Sequence, residues 1–233
     1  MSELALLEGL IVSCQAPATS PLHAPPVIAA MAEAACLGGA VGVRIESPAH
    51  IQAVRGRVNR PIVGLWKRTY PDSAVYITPT FADAQAVALS GADIVAIDAT
   101  DRERPNGEQL GDLIARIWTE LQKPVLADVA TRAEGIAAAR LGADIVATTL
   151  CGYTEMTHGT PLPALDLVAA LAPDLSVPVW CEGGVKSPAQ VALARSCGAR
   201  VVVVGTALTG LDVRVREFAH FAGRVSPTMQ TEA

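Results

Sequence analysis

Eight short β-branched runs alternate with longer Ala-rich segments along 233 residues, and no linker or low-complexity tract interrupts them. The runs are continuously apolar, as strands buried on both faces are, and recur every ~25–35 residues, the length of a βα unit. Most end on a polar or ionisable residue. Together these observations predict the α/β class and, within it, a single (β/α)8 TIM barrel of the phosphate-binding type; an open doubly wound sheet needs only five or six strands. The domain is expected to span residues 1–225, with 226–233 a disordered polar tail.

Composition supports that reading. Hydrophobic residues make up 51% and aromatics only 4%, so Ala, Val, Ile and Leu must fill the core, as in helices packed on a parallel sheet. A net charge of -5 carries no footprint for nucleic acid, which is excluded as a partner. No run approaches the ~18 apolar residues of a membrane span. Met1-Ser2-Glu3 lacks the basic start of a signal peptide, and five cysteines without a Cys-x-x-Cys pair suit a reducing compartment. The expected location is the cytoplasm. The four histidines, His23, His50, His158 and His220, show no ligand spacing, so no metal is expected.

The expected strands are Gly9–Cys14, Ala40–Ile45, Pro61–Trp66, Asp93–Asp98, Pro124–Val129, Asp144–Thr149, Pro178–Glu182 and Val201–Gly205. An internal echo marks three of them. Gly91-Ala92-Asp93-Ile94-Val95-Ala96 recurs as Gly142-Ala143-Asp144-Ile145-Val146-Ala147, and more loosely as Gly198-Ala199-Arg200-Val201-Val202-Val203. Each glycine is placed to end a helix with positive φ just before a buried strand. Helix starts are marked by the capping-box pattern Thr131-Arg132-Ala133-Glu134 and by Ser47-Pro48 and Ser187-Pro188, each an N-cap followed by proline at the first helical position.

In such a barrel the site forms at the C-terminal strand ends. Reading those ends gives Gln15, Arg44, Lys67, Asp98, Asp128, Thr148-Thr149, Glu182 and Gly205-Thr206. Period-2 alternation puts Lys67 on one face with Leu65 and Val63, and Glu182 with Trp180. If that face points inward the ionisable groups converge, and Cys14, Trp66 and Cys181 lie beneath the helices. Simpler roles exist for each. Asp98 and Asp128 can cap the next helix, Arg44 can pair with Glu46 at the surface, and Lys67-Arg68 can be a solvated turn. Two glycine-bearing turns, Gly183-Gly184 and Gly205-Thr206, follow the seventh and eighth strands, where barrels commonly bind phosphate through backbone N–H groups.

In this order the pieces are specific. Gly9-Leu10-Ile11-Val12-Ser13-Cys14-Gln15-Ala16, Pro21-Leu22-His23, Gly38-Gly39-Ala40-Val41-Gly42-Val43-Arg44, Lys67-Arg68, Ile97-Asp98-Ala99-Thr100, Ala127-Asp128-Val129-Ala130-Thr131, Thr148-Thr149-Leu150-Cys151-Gly152-Tyr153-Thr154 and Glu182-Gly183 resemble the N-acetylmannosamine-6-phosphate 2-epimerase family of sialic acid catabolism. The likeness runs from Gly9 to about Thr209. It implies a barrel free of metal and cofactor that interconverts N-acetylmannosamine 6-phosphate and N-acetylglucosamine 6-phosphate at C2. The family's catalytic lysine and glutamate fall on Lys67 and Glu182, and its substrate-positioning residues on Gln15, Arg44 and Asp128. Thr149 and Tyr153, inside a matching segment, are expected to contact substrate. Gly183, Gly184, Gly205 and Thr206 match the phosphate end. The likeness also implies a homodimer. One departure stands out: where the family usually carries an arginine after the eighth strand, this chain has Gly210.

The expected chemistry is proton removal from C2 by Lys67. Burial and Arg44 would lower the lysine's pKa; Glu182 and Asp128 would raise it, and the sequence leaves the balance open. Two other readings use the same residues: a Schiff-base lyase or aldolase acting on a phosphosugar through Lys67, and a phosphosugar-binding barrel without activity.

Overall fold

A computed structural model describes residues 7–223. The expected tail, 226–233, lies outside the described residues. Eight parallel strands close in sequence order: β1 Gly9–Cys14, β2 Gly42–Glu46, β3 Ile62–Leu65, β4 Ile94–Asp98, β5 Val125–Asp128, β6 Ile145–Ala147, β7 Val179–Glu182 and β8 Val201–Val204. Each falls on an expected run: β1 matches it end to end, β2 starts two residues later and runs on to Glu46, β6 is three residues shorter, and the rest are trimmed by one or two. β8 pairs back onto β1 through Val203 and Ile11, so no sheet edge is left open.

Around the barrel lie α1 Pro25–Leu37, α2 Pro48–Arg55, α3 Phe81–Leu89, α4 Leu110–Arg116, α5 Arg132–Arg140, α6 Leu165–Leu171, α7 Pro188–Ser196, α8 Thr206–Thr209 and α9 Leu211–Phe221. Thr131 and Glu134 make the expected capping box of α5, and Ser187 accepts from Gln190 N at α7. Ser47 departs from expectation. It caps nothing with its side chain, and its backbone is strained at φ 72°, ψ 146°. The chain must turn sharply there because Pro48 follows at once and β2 ends beside β3, with Ser47 N donating to Leu65 O at 2.8 Å.

The Gly-Ala-Asp echo has a structural cause. Gly91, Gly142 and Gly198 all have φ near +100°. Asp93 accepts from Ile62 N at 2.8 Å, and Asp144 accepts from Val125 N at 2.9 Å. Each aspartate therefore satisfies the first amide of the preceding neighbour strand. Arg200 replaces it in the loose third copy.

Alternation sorts the side chains into two cores. Val12, Cys14, Val43, Ile45, Val95, Ala127 and Cys181 face outward beneath the helices, with Trp66 packed against them. Ile11, Val63, Leu65, Ile94, Ala96, Leu126, Ile145, Ala147, Trp180, Val201 and Val203 fill the barrel. These inner layers are apolar up to the strand ends. Above them the same inward positions carry Ser13, Arg44, Asp98, Asp128 and Glu182, and the polar layer so formed is the floor of the site. Among the described residues no helix is long and apolar enough to cross a membrane.

Candidate active site

A cavity of about 880 Å³ opens at the C-terminal ends of the strands, lined by Gln15, Arg44, Glu46, Lys67, Tyr76, Thr149, Tyr153, Glu182, Gly183, Gly184, Gly205 and Thr206 among others. A second cleft, about 420 Å³, lies near the strand starts around Glu8, Val179 and Arg200, away from every residue expected to act.

Arg44 organises the floor. It is buried, and its two terminal nitrogens donate to both oxygens of Asp128 at 3.0 and 2.6 Å. Its Nη1 also lies 2.9 Å from Glu182 Oε2. That contact is at ion-pair distance but is not aligned as a hydrogen bond, so this buried carboxylate oxygen has no hydrogen-bond partner among the described residues. The surface pairing of Arg44 with Glu46 is thereby overturned: at its inward β2 position the guanidinium is buried in the cavity floor and held by Asp128 and Glu182. Asp128 caps no helix either, because Arg44 and the Thr149 hydroxyl occupy it. Asp98 accepts from Thr100 N and Oγ1 and pairs with Arg102 at 2.7 Å, so it too is no helix cap.

A buried carboxylate and a largely buried one thus share one buried cation, and the site cannot ionise both cheaply. Burial pushes Glu182 up to about 7 against the pull of Arg44, with Asp128 adding to the rise. Burial also raises Asp128, again opposed by Arg44. Glu182 is fixed through its backbone: Thr148 Oγ1 donates to Glu182 O at 3.0 Å and accepts from Glu182 N at 3.1 Å.

Lys67 follows β3 at the rim, in a return hairpin closed by Thr78 N donating to Trp66 O at 2.8 Å and Arg68 N to Tyr76 O at 2.9 Å. Lys67 keeps an open face toward the cleft, yet protein fills most of the volume around its amine. That desolvation lowers its pKa, with Arg44 the next cause; Glu46, Glu182 and Asp128 pull the other way and lose. Its Nζ donates to Gln15 Oε1 at 2.9 Å. Lys67-Arg68 is therefore no solvated turn: Lys67 lines the cavity and Arg68 stacks over Trp66 at 4.4 Å. In the closed strand order β3 and β7 are four apart, so Lys67 and Glu182 come from opposite sides of the barrel.

The glycine turns border the same cavity. Gly183 and Gly184 have φ of 107° and 68°, and a Cβ on Gly184 would meet Leu162 Cβ at 2.4 Å. The first amides of α8, after Gly205, have no carbonyl a turn earlier to bond. Thr149 lines the cavity with its hydroxyl committed to Asp128, and Tyr153 stands 56% exposed at the mouth.

Several lining residues escape the strand-end reading. Glu46 stands two residues beyond Arg44, so alternation alone points it inward. Tyr76 belongs to the return hairpin and keeps its phenol proton, its pKa pushed up to about 12 by burial and by Asp128. Lys186 follows the first glycine turn by two residues and Arg214 follows the second by eight, and both add cations to the lining. For the last three the sequence carried no signal, since loop path and helix orientation decide them.

Fold and site define a TIM barrel with ionisable groups converging from opposing strand ends and a glycine-rich rim. The family described as "Putative N-acetylmannosamine-6-phosphate epimerase" matches residues 28–223. A protein of Thermosynechococcus vestitus named "Putative N-acetylmannosamine-6-phosphate 2-epimerase" is 60% identical over 210 residues, covering 90% of this chain and 91% of its own. One of Synechococcus elongatus with the same name is 54% identical over 212 residues, covering 90% and 91%. The solved structure of the N-acetylmannosamine-6-phosphate 2-epimerase from Clostridium perfringens superposes with a TM-score of 0.90 at 36% identity, over 95% of this chain and 96% of that one. The chain belongs to the N-acetylmannosamine-6-phosphate epimerase family.

Proposed function

We propose that this protein is an isomerase that interconverts N-acetylmannosamine 6-phosphate and N-acetylglucosamine 6-phosphate by moving a proton off one face of C2 and onto the other. The supporting observation is the opposition of Lys67, just beyond β3, and Glu182, at the end of β7, across one cavity. Inversion at a single carbon needs two proton-transfer groups facing each other, and a site built for binding alone needs neither.

The C2–H bond is acidic only beside an aldehyde, so the sugar reacts ring-opened. Lys67, already lowered, takes the C2 proton as an amine and becomes the ammonium. The C2–H electron pair forms a C1=C2 bond and the carbonyl π pair moves onto O1, giving an enolate oxygen under the fixed charge of Arg44 in a partly dry site. Glu182, raised to about 7, supplies a proton to the opposite face. The return direction exchanges the roles. Gln15 holds the lysine amine, Asp128 holds Arg44, and Thr149 and Tyr153 border the bound sugar. The backbone at Gly183-Gly184 and Gly205-Thr206, with Lys186 and Arg214, receives the phosphate. The reaction as written uses no cofactor.

We further place the enzyme in the cytoplasm, a reading supported by five unpaired cysteines. We also propose a homodimer, supported by exposed Leu211, Val215 and Phe218 along one face of α9. Light scattering tests the second point.

Proton NMR in heavy water with N-acetylmannosamine 6-phosphate tests the activity. Loss of the C2 proton with growth of N-acetylglucosamine 6-phosphate signals is expected. Absence of both from folded protein would refute the reading. Borohydride trapping of substrate on Lys67 would replace it with a Schiff-base mechanism.

A further inference from the structure

Lys67 sits inside a closed ring of contacts whose far side is a pair of histidines. From the amine, Nζ donates to Gln15 Oε1 at 2.9 Å, and Gln15 Nε2 donates to Ser13 Oγ at 2.9 Å. The next carbonyl, Ala16 O, lies 2.9 Å from His23 Nδ1. A carbonyl only accepts, so His23 carries a proton on Nδ1. His23 O in turn lies 2.6 Å from His50 Nε2, which must likewise donate, and the two rings meet edge to face at 4.7 Å.

His50 closes the ring on its other side. Its Nδ1 lies 3.0 Å from the Ser47 hydroxyl, which can donate or accept, and 3.0 Å from Glu46 O. The Glu46 carboxylate stands 3.8 Å from the same nitrogen and accepts from Lys67 N at 3.4 Å. His50 is buried, on the first turn of α2, directly after the strained Ser47. One imidazole therefore ties the loop after β1, which presents Gln15, to the end of β2, which presents Glu46. Both of those side chains touch Lys67, and His50 itself does not border the cavity.

We propose that His50 is a positioning residue for the reaction: through His23 on one side and the Ser47–Glu46 turn on the other, it fixes the two loops that hold Lys67. Strain at Ser47 fits this role, because a non-glycine residue at positive φ persists only where its surroundings over-determine it. His50 is otherwise ill suited to the spot, since a buried apolar side chain would pack there without two polar atoms to satisfy. The kinetic part of the inference rests on the epimerase reading above.

The test compares His50→Phe, His50→Gln and His50→Asn with the wild-type enzyme. Phe keeps the ring and removes both contacts. Gln can replace the Nε2 donor to His23, and Asn can replace the Nδ1 contacts. His50→Phe is expected to lower kcat about tenfold or more through misplacement of the amine, with KM within about twofold. His50→Gln and His50→Asn are each expected to regain part of kcat. Should His50→Phe not fold, the two amides carry the test, with each expected below wild type. A second readout needs no substrate. Acetylation of Lys67 by acetic anhydride, followed on its peptide by mass spectrometry, is expected to be faster in the variants, because Nζ loses its fixed partner Gln15.

Wild-type kcat and an unchanged Lys67 acetylation rate in all folded variants would overturn the proposal. So would equal losses in kcat among the three variants that track only their melting temperatures. If the wild-type enzyme itself shows no C2 exchange, the epimerase reading falls, and the acetylation rates alone decide the role of His50.

Discussion

Arg44 meets Asp128 through two parallel hydrogen bonds, 3.0 and 2.6 Å long, with both residues sealed from solvent. Such a pair is rarely a source of stability in itself, because desolvation offsets most of the attraction. Its worth lies in holding a cation where an enolate would form. Removing the cation alone leaves Asp128 and Glu182 buried without compensation. Arg44→Met is therefore expected to cost about 3–5 kcal/mol at pH 8.

That loss should shrink at lower pH. Without Arg44 both carboxyls, already raised, rise further, so the folded state holds more protons than the unfolded chain. Stability then falls as pH rises above the ordinary glutamate value of 4.5 and through the folded values. Urea denaturation at pH 5.5 and pH 8 checks this, and an equal loss at both would mean that the carboxyls do not carry the effect.

The pH dependence of kcat follows from the proton count of the Lys67–Glu182 pair. In either direction the active form carries one proton between the two groups. Adding a second, by protonating Glu182 while Lys67 is an ammonium, removes the base, so activity should rise with pH through about 7. Removing the last proton abolishes the acid, so activity should fall again below the usual lysine value of 10.5. Glu182→Gln is expected to flatten the limb near 7 along with most of the activity. A wild-type profile flat from pH 6 to 9 would contradict the pairing.

The barrel was legible because its grammar is local. Val63, Leu65 and Lys67 follow one face of one strand, and so do Trp180 and Glu182; alternation carries each line from core to site without tertiary information. Glu46 was equally readable by that rule from Arg44, yet adjacency of opposite charges suggested a surface pair. Thr148 was different. It is the outward neighbour of Thr149, and only pairing between β6 and β7 brings its hydroxyl onto Glu182. Ser47-Pro48 reads as an ordinary helix start, and the strain that turns it away comes from the neighbouring β3 carbonyl. Loop positions such as Tyr76 have no periodicity to betray them.

At Gly210, where the resemblance implies an arginine, the local backbone leaves little room for a side chain. A Cβ there would lie 2.7 Å from Thr206 Cγ2 and 2.9 Å from Thr206 O. One turn later Arg214 N donates to Gly210 O at 2.9 Å, and its side chain reaches the cavity lining while pairing with Glu217 at 2.5 Å. A substrate phosphate bound at this rim would compete for that guanidinium. Arg214→Ala is expected to raise KM for N-acetylmannosamine 6-phosphate about tenfold, on the order of a charge-assisted contact of 1.5 kcal/mol, and to leave kcat near wild type. Progress curves over substrate concentration measure both, and an unchanged KM would assign the phosphate to backbone amides and Lys186 alone.

Lys67 has two separable properties, a positive charge when protonated and a proton affinity low enough to lose it. Lys67→Arg keeps the first and removes the second, since a guanidinium stays charged throughout the accessible pH range. If Lys67 works as a base, Lys67→Arg and Lys67→Ala should lose comparable activity, about 10²–10⁴-fold. If it only attracts the enolate, arginine should retain most of the rate and alanine should not. Deuterium incorporation at C2, measured by NMR on each variant in heavy water, reads the difference at the atom concerned. The lowered pKa favours the first outcome: desolvation and Arg44 both act against the ammonium, which is costly for a residue needed only for its charge and useful for one that must give that charge up.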